Sequence, residues 1–474
     1  MNQSQQNNIV LLCLDSVRKD YFEEYATRLR QISDIEFLQC RAASGWSVPS
    51  HASMLTGTLP HQHGVHAYNR NFSELTREDT FLKDLPDHRA LGASANVYAS
   101  EAFGFDGPFD EYRSVSPDRR FPEGMDVERW GQQCNKTGIN RYVAFIRAAL
   151  AHEHQFASLA NGAFTELANR LDNAPLPSPF DDGARVVSKE VRSLIDQNKE
   201  PFFMFANLMD AHGPFNHVLS YDRSLYDVPL SWNSGKYSTH KLNTEGITED
   251  THHHVEHTRE LYVGAVDYLD RKVSDLVNWL NANTERETVV VITADHGENL
   301  GFDADEELLA HRGVLTEGLL HVPLIVVNAP DSWKDIDQSR YVSHCSLGGL
   351  LVGLANGEVP DITADRVAGE RIGSNVPEAA DEDERAEWDR MIRVVYDGET
   401  KYEWDSADET TRYRLDAERP NWQEPTEGDV PVEELEAEFF DEPLAEYKQR
   451  ARSRSEAADV DDVIEDRLSD LGYV

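Results

Sequence analysis

The chain opens on a polar stretch, MNQSQQNN, and then turns wholly apolar over residues 9–14 (IVLLCL) before meeting Asp15. An unbroken apolar run of that length predicts a strand buried on both faces. Residues 90–97 (ALGASANV), 201–208 (PFFMFANL) and 322–328 (VPLIVVN) read the same way, as does the β-branched run leading to Asp295 in TVVVITADHGE. Between them lie helical stretches, one around Tyr21–Ile32 and a long amphipathic one over 259–283 (RELYVGAVDYLDRKVSDLVNWLNAN). Alternating strands and helices predict an α/β fold, a mixed and mostly parallel sheet flanked by helices. In such sheets ligands bind beyond the carboxyl ends of the strands. Asp15, Asp210 and Asp295 all fall there.

The rest of the chain adds detail without chemistry. Residues 113–198 carry helical signals and no clear strand, as in an insertion or cap. Residues 1–335 are expected to form the catalytic domain, and 336–474 a smaller, more acidic C-terminal α+β subdomain. Within the latter, 376–388 (VPEAADEDERAEW) predict a solvated linker or surface helix. Residues 391–403 predict two strands around the turn DGET, and the terminal VIEDRLSDLGYV predicts a short amphipathic helix.

Charge narrows the class of partner. With 86 Asp+Glu against 45 Lys+Arg, the formal net charge is −41. Such a surface repels itself unless salt screens it, which points to a halophilic protein in a salt-rich cytoplasm. It also repels phosphate backbones, so no nucleic-acid partner is expected. An anionic ester remains admissible if a metal and histidines make a local positive site. Four scattered cysteines (Cys13, Cys40, Cys134, Cys345) offer neither a CxxC metal site nor a disulfide framework. Cys13, inside an apolar run, reads as core filler. Neither a signal peptide nor a membrane span is expected, so the location read from sequence is cytoplasmic.

Three stretches carry chemistry. Asp15, at a strand end, could ligate a hard cation; taken alone it would as soon cap the next helix. In TADHGENLG, Asp295 and His296 stand side by side after a buried strand, a pair suited to Mg, Mn, Ca or Zn, with Gly297 permitting a sharp turn. In GWSVPSHASMLTGTLPHQHGVH (45–66), Pro49 fits the first turn of a helix with Ser47 just before it. Orphan N–H groups at a helix start favour an anion. Alone, Ser47 would read as an N-cap; beside a metal it reads as a nucleophile for phosphorus or sulfur.

LLCLDSVRKD, SVPSHASMLTG, MDAHGPF, TADHGENLG and LLHVPLIV stand in the order found in sulfatases of the alkaline phosphatase superfamily. GFDGPFDEY (104–112) and the ending RLSDLGYV are similar to that family too. The chain resembles it over most of its length, with gaps at 113–198 and 355–440. The resemblance implies one divalent ion on Asp15, Asp295, His296 and the Ser47 oxygen. It places Ser47 where sulfatases hold the residue oxidised to formylglycine, His212 at the histidine that contacts the ester, and His311 near a substrate-binding lysine. The implied substrate is a small-molecule, carbohydrate or lipid anionic ester.

Two departures bear on the chemistry. Ser16 replaces the family's second aspartate, which moves the metal away from Ca toward Mn, Mg or Zn. His51 replaces the arginine of the maturation motif, which sets unmodified Ser47 against formylglycine. Sulfate-ester hydrolysis leads; a phosphodiesterase, phosphonate hydrolase or phosphotransferase is the alternative, and a catalytically silent binding protein a remote third. One of His61, His63 and His66 could line the pocket. His252, His253, His254 and His257 read as a solvated helix face, and Asp210 as the residue that holds His212.

Overall fold

The computed structural model describes residues 6–115, 121, 123–127, 130, 131, 134, 136, 138–171, 176–333, 335–373 and 388–453. A seven-stranded sheet is built from β1 (Asn8–Leu14), β2 (Ile35–Glu36), β3 (Arg89–Ser94), β4 (Glu111–Ser114), β5 (Phe202–Leu208), β6 (Thr288–Thr293) and β7 (Leu324–Val327). Their spatial order is β2-β7-β6-β1-β5-β3-β4. β1 lies at the centre, every residue buried, parallel to β5 and β6. Its register sets Cys13 beside Asn207 on one side and Thr293 on the other. The VPLIVVN strand runs the other way, antiparallel to both β6 and β2. An apolar run buried on two faces carries no mark of its direction.

The helices are α1 (Lys19–Tyr25), α2 (Thr27–Ile32), α3 (Ser47–Thr56), α4 (Ile139–Ala151), α5 (Gln155–Leu171), α6 (Ala184–Gln197), α7 (Glu249–Asn283) and α8 (Leu347–Asn356); α6, α7 and α8 lie against this sheet, while α4 and α5 pack on each other. The helix expected around Tyr21–Ile32 is divided at Ala26. Asp270 of α7 accepts from the backbone N–H of Arg28 (3.2 Å) and Leu29 (2.8 Å). That carboxylate caps α2 from a distant part of the chain and stabilises a second helix start there. Helix α7 begins earlier than expected, at Glu249, and takes in the histidine cluster. The 113–198 region is less separate than a cap: β4 lies at its start, and α6 buries Val187, Val191 and Leu194 in the main core.

The C-terminal part forms an antiparallel sheet in sequential order: β8 (Arg366–Arg371), β9 (Ile392–Asp397), β10 (Thr400–Asp405), β11 (Thr410–Leu415) and β12 (Gln423–Thr426). The expected hairpin around DGET is β9–β10. Helices Val432–Phe439 and Leu444–Ser453 cover it through Leu435, Phe440 and Tyr447. This sheet grips the short helix Glu317–Leu320. Glu317 accepts from the Tyr396 hydroxyl and pairs with Arg41 at 2.9 Å. The 376–388 linker (Trp388 apart) and the terminal helix lie outside the described residues. Among the described residues no helix is long and apolar enough to cross a membrane.

Candidate active site

The carboxyl ends of β1 and β6 bring Asp15 and Asp295 together with His296; ligand atoms of the three lie within 4.8 Å of one another. All three are fully buried. Each donor is oriented by a neighbour. The Asp15 carboxylate accepts from Ser16 Oγ (3.1 Å), Asn96 Nδ2 (2.7 Å) and Asn207 Nδ2 (3.2 Å). Asp295 Oδ1 accepts from the backbone N–H of Ser16 (3.3 Å) and of His296 (3.0 Å). Asp295 Oδ2 is buried and has no hydrogen-bond donor. His296 Nδ1 lies 2.7 Å from the Gly297 carbonyl and donates to it, which leaves the lone pair on Nε2. Burial alone would raise the Asp295 carboxyl; the His296 and His51 rings and hydrogen bonds outweigh it and hold it below its ordinary value.

Ser47 sits against this group, its Oγ 3.2 Å from His296 Nε2 and 3.1 Å from Asn96 Nδ2. It occupies the first helical position of α3 rather than the residue before it; the cap is Trp46, with extended backbone (φ −162°, ψ 162°). Ser47 therefore keeps its hydroxyl for the site instead of spending it on the helix. The donor set fits a divalent ion: two carboxylates, one imidazole with its lone pair inward, a hydroxyl, and an orphaned buried carboxylate oxygen. Imidazole in the set favours Mn or Zn over Ca.

Ser16, where the family's second aspartate would stand, has left-handed backbone (φ 63°). A non-glycine residue there costs about 1–2 kcal/mol and persists only when its surroundings over-determine it. The Tyr262 hydroxyl does so, donating to the Ser16 carbonyl (2.7 Å) and accepting from the Arg18 N–H (2.9 Å). Gly297 serves close approach rather than a turn. A Cβ there would lie 2.1 Å from the Gly318 carbonyl oxygen, and its N–H donates to Leu319 O at 2.8 Å. The metal-side loop thus rests on the helix that the C-terminal sheet grips.

His311 lies between His296 and His212, with ring centroids 4.7 and 5.0 Å away. His212 Nδ1 donates to the Gly213 carbonyl. Burial lowers the pKa of His212, and lowers His311 further with help from His296 and His212. His51 is also buried, its Nε2 3.2 Å from Asn207 Nδ2 and 3.7 Å from Asp295 Oδ2.

Other expectations change. Asp210 does not hold His212: its carboxylate accepts from the N–H groups of Asp182 (3.3 Å) and Ala184 (3.0 Å), at the start of α6. The later histidines have structural partners, His63 on Ser53 Oγ and His61 on Glu370, while His66 Nδ1 accepts from the Tyr68 N–H. The α7 cluster divides: His252 and His253 face solvent beside Glu256, whereas His254 is buried against Trp232 and Tyr237. Asn96, Asn207 and Tyr262 were missed. Asn207 left a trace, a polar residue inside the fully buried run FFMFANL.

The mostly parallel central sheet flanked by helices, with an antiparallel C-terminal sheet, is an alkaline-phosphatase-like α/β fold. Solved structures match along nearly the whole chain. The phosphonate monoester hydrolase of Agrobacterium radiobacter covers 95% of this chain and 96% of its own, at a TM-score of 0.62 and 15% identity. A 2-O GAG sulfatase covers 97% and 96%, at a TM-score of 0.52 and 15% identity. The uncharacterized sulfatase YidJ of Escherichia coli is 24% identical over 170 residues, 34% of this chain and 33% of that protein. The chain therefore matches about a third of the length of that curated relative. The sulfatase family model matches residues 7–357, and the chain belongs to the sulfatase family.

Proposed function

We propose that this chain hydrolyses a singly charged sulfate ester, with Ser47 at the nucleophile position and a divalent ion held by Asp15, Asp295, His296 and Ser47. The observation that carries the reading is the convergence of those four side chains from three distant stretches. A bound ion supplies positive charge against the transferring group and acidifies the serine hydroxyl. Ser47 Oγ bonds to sulfur as the bond to the leaving oxygen breaks. The hydroxyl proton passes to a basic imidazole nitrogen of His212 or His311 and returns to the departing alcohol. Water then cleaves the Ser47 ester, releasing sulfate and restoring the hydroxyl. Asn96 orients both Asp15 and Ser47 throughout. Because burial disfavours the charged form of His212 and His311, they suit a monoanion better than a doubly charged phosphate monoester.

A second reading, a phosphonate monoester or phosphodiester hydrolase using unmodified Ser47, is favoured by His51. It fills the place of the maturation arginine and is buried against Asn207 and Asp295. The Agrobacterium neighbour is a phosphonate monoester hydrolase. The net charge of −41 supports a salt-rich cytoplasm.

Side-by-side rates on nitrophenyl sulfate, phosphate and phosphodiester substrates separate the readings, and intact mass reports any loss of two hydrogens at Ser47. Ser47→Ala is expected to lower turnover by about three orders of magnitude or more with the fold intact. Substantial activity in that variant removes Ser47 from the nucleophile role.

A further inference from the structure

Asp295 also belongs to a second group of donors. Cys13 Sγ lies 3.8 Å from His51 Nε2, and His51 Nε2 lies 3.7 Å from Asp295 Oδ2. Ligand atoms of the three residues all fall within 4.8 Å of one another. The same Oδ2 is 3.5 Å from His296 Nε2, so it stands between both groups. All three side chains are buried, and two oxygens in the cluster, Asp295 Oδ2 and Asn207 Oδ1, make no hydrogen bond. A buried carboxylate oxygen without a donor is a costly arrangement, and it calls for a cation.

The spacing is right for one. Tetrahedral zinc, with bonds of about 2.0–2.3 Å, holds such donors about 3.3–3.6 Å apart. The Sγ–Nε2 and Nε2–Oδ2 separations, 3.8 and 3.7 Å, need to close by a few tenths of an ångström, and Sγ and Oδ2 start within 4.8 Å of each other. Cys13 belongs to the main core, as expected, yet its sulfur also has His51 Nε2 and an Asp295 carboxylate oxygen as polar neighbours.

We propose that a second, thiolate-accepting divalent cation, zinc or cadmium in kind, binds Cys13 Sγ, His51 Nε2 and Asp295 Oδ2, with Asp295 bridging to the first ion. The site rests on the reading above for that first ion. The charges balance. Asp15, Asp295 and the Cys13 thiolate supply three negative charges to the pair of ions, the thiol proton leaving to solvent, and the anionic substrate brings the fourth. The thiolate is the form of cysteine that binds metal, so cation binding at Cys13 releases a proton. His51 then occupies the family's arginine place as a ligand.

The test is a cadmium titration of the metal-free protein, read by ions bound per chain and by the ultraviolet thiolate-to-cadmium band. The wild type is expected to hold two ions and show the band; Cys13→Ser is expected to hold one and lose it. Cys13→Ala keeps the position apolar and repeats the measurement without a buried hydroxyl, with metal-free melting checking the fold of both. One ion without the band, or a band that survives in both variants, overturns the second site and leaves the first standing. No bound ion in the wild type overturns both.

Discussion

Asn96 donates to Asp15 Oδ2 at 2.7 Å and to Ser47 Oγ at 3.1 Å, while its Oδ1 accepts from the Tyr98 N–H at 2.9 Å. Its carbonyl end therefore holds its own loop, and its amide end aims Ser47 Oγ and the Asp15 carboxylate. Asn96→Ala removes both aimed bonds. A hydrogen bond to a charged group contributes about 1.5–3 kcal/mol and a neutral one about 0.5–1.5 kcal/mol. The sum, about 2–4.5 kcal/mol, corresponds to roughly a thirtyfold to thousandfold loss in kcat/KM when both bonds matter in the transition state. Cation affinity should fall about 10–100-fold, as when a residue orienting a metal ligand is lost. Initial rates on nitrophenyl sulfate and a nitrophenyl phosphonate monoester give the first quantity, and cation titration of the stripped protein gives the second. If kcat/KM stays within about threefold of wild type and cation affinity is unchanged, Asp15 and Ser47 are held by other contacts, and the orienting role of Asn96 is wrong.

Gly297→Ala forces a methyl into the Gly318 carbonyl, where the gap is 2.1 Å. Backbone must move, and a loss of at least about 1–3 kcal/mol in unfolding free energy is expected, together with weakened cation binding; an unchanged melting curve would show that the loop yields freely. His344 is fully buried, and burial lowers its pKa from 6.5 to about 4. The unfolded chain takes up that proton below about pH 6.5 and the folded chain does not until about pH 4. Stability from this residue is therefore present above that window and lost as pH falls through it. Melting temperature against pH should show the decline, with a shallower slope in His344→Gln; an equal slope removes His344 from the effect. With a net charge of −41, unfolding free energy should rise from dilute buffer to about 1 M KCl, where the Debye length falls to about 3 Å. Full stability in dilute buffer would argue against adaptation to salt.

Strand runs such as IVLLCL were legible because a parallel strand covered on both faces must be apolar throughout, and that is a property of neighbouring residues. Asp15, Asp295 and His296 were legible for a related reason: they stand at the ends of those runs, where such sheets place ligands. Ser47 and His51 needed the order of several motifs, since neither differs locally from a helix cap or a core histidine. The reach of Asn96 to Asp15 spans 81 residues, that of Asn207 spans 192, and that of Tyr262 to the Ser16 carbonyl spans 246. Nothing near an asparagine or a tyrosine records which carboxylate or carbonyl will be packed against it.

Periodicity and polarity along the chain thus determined where strands and helices form and which carboxylates lie at their ends, because burial acts residue by residue. Tertiary packing alone decided the reversed direction of Leu324–Val327, the break at Ala26 under the Asp270 carboxylate, and the close approach at Gly297. These depend on hydrogen bonds and contacts between segments that are not neighbours along the chain, 241 residues apart for Asp270 and Leu29, and such partners exist only once the sheet has brought them together.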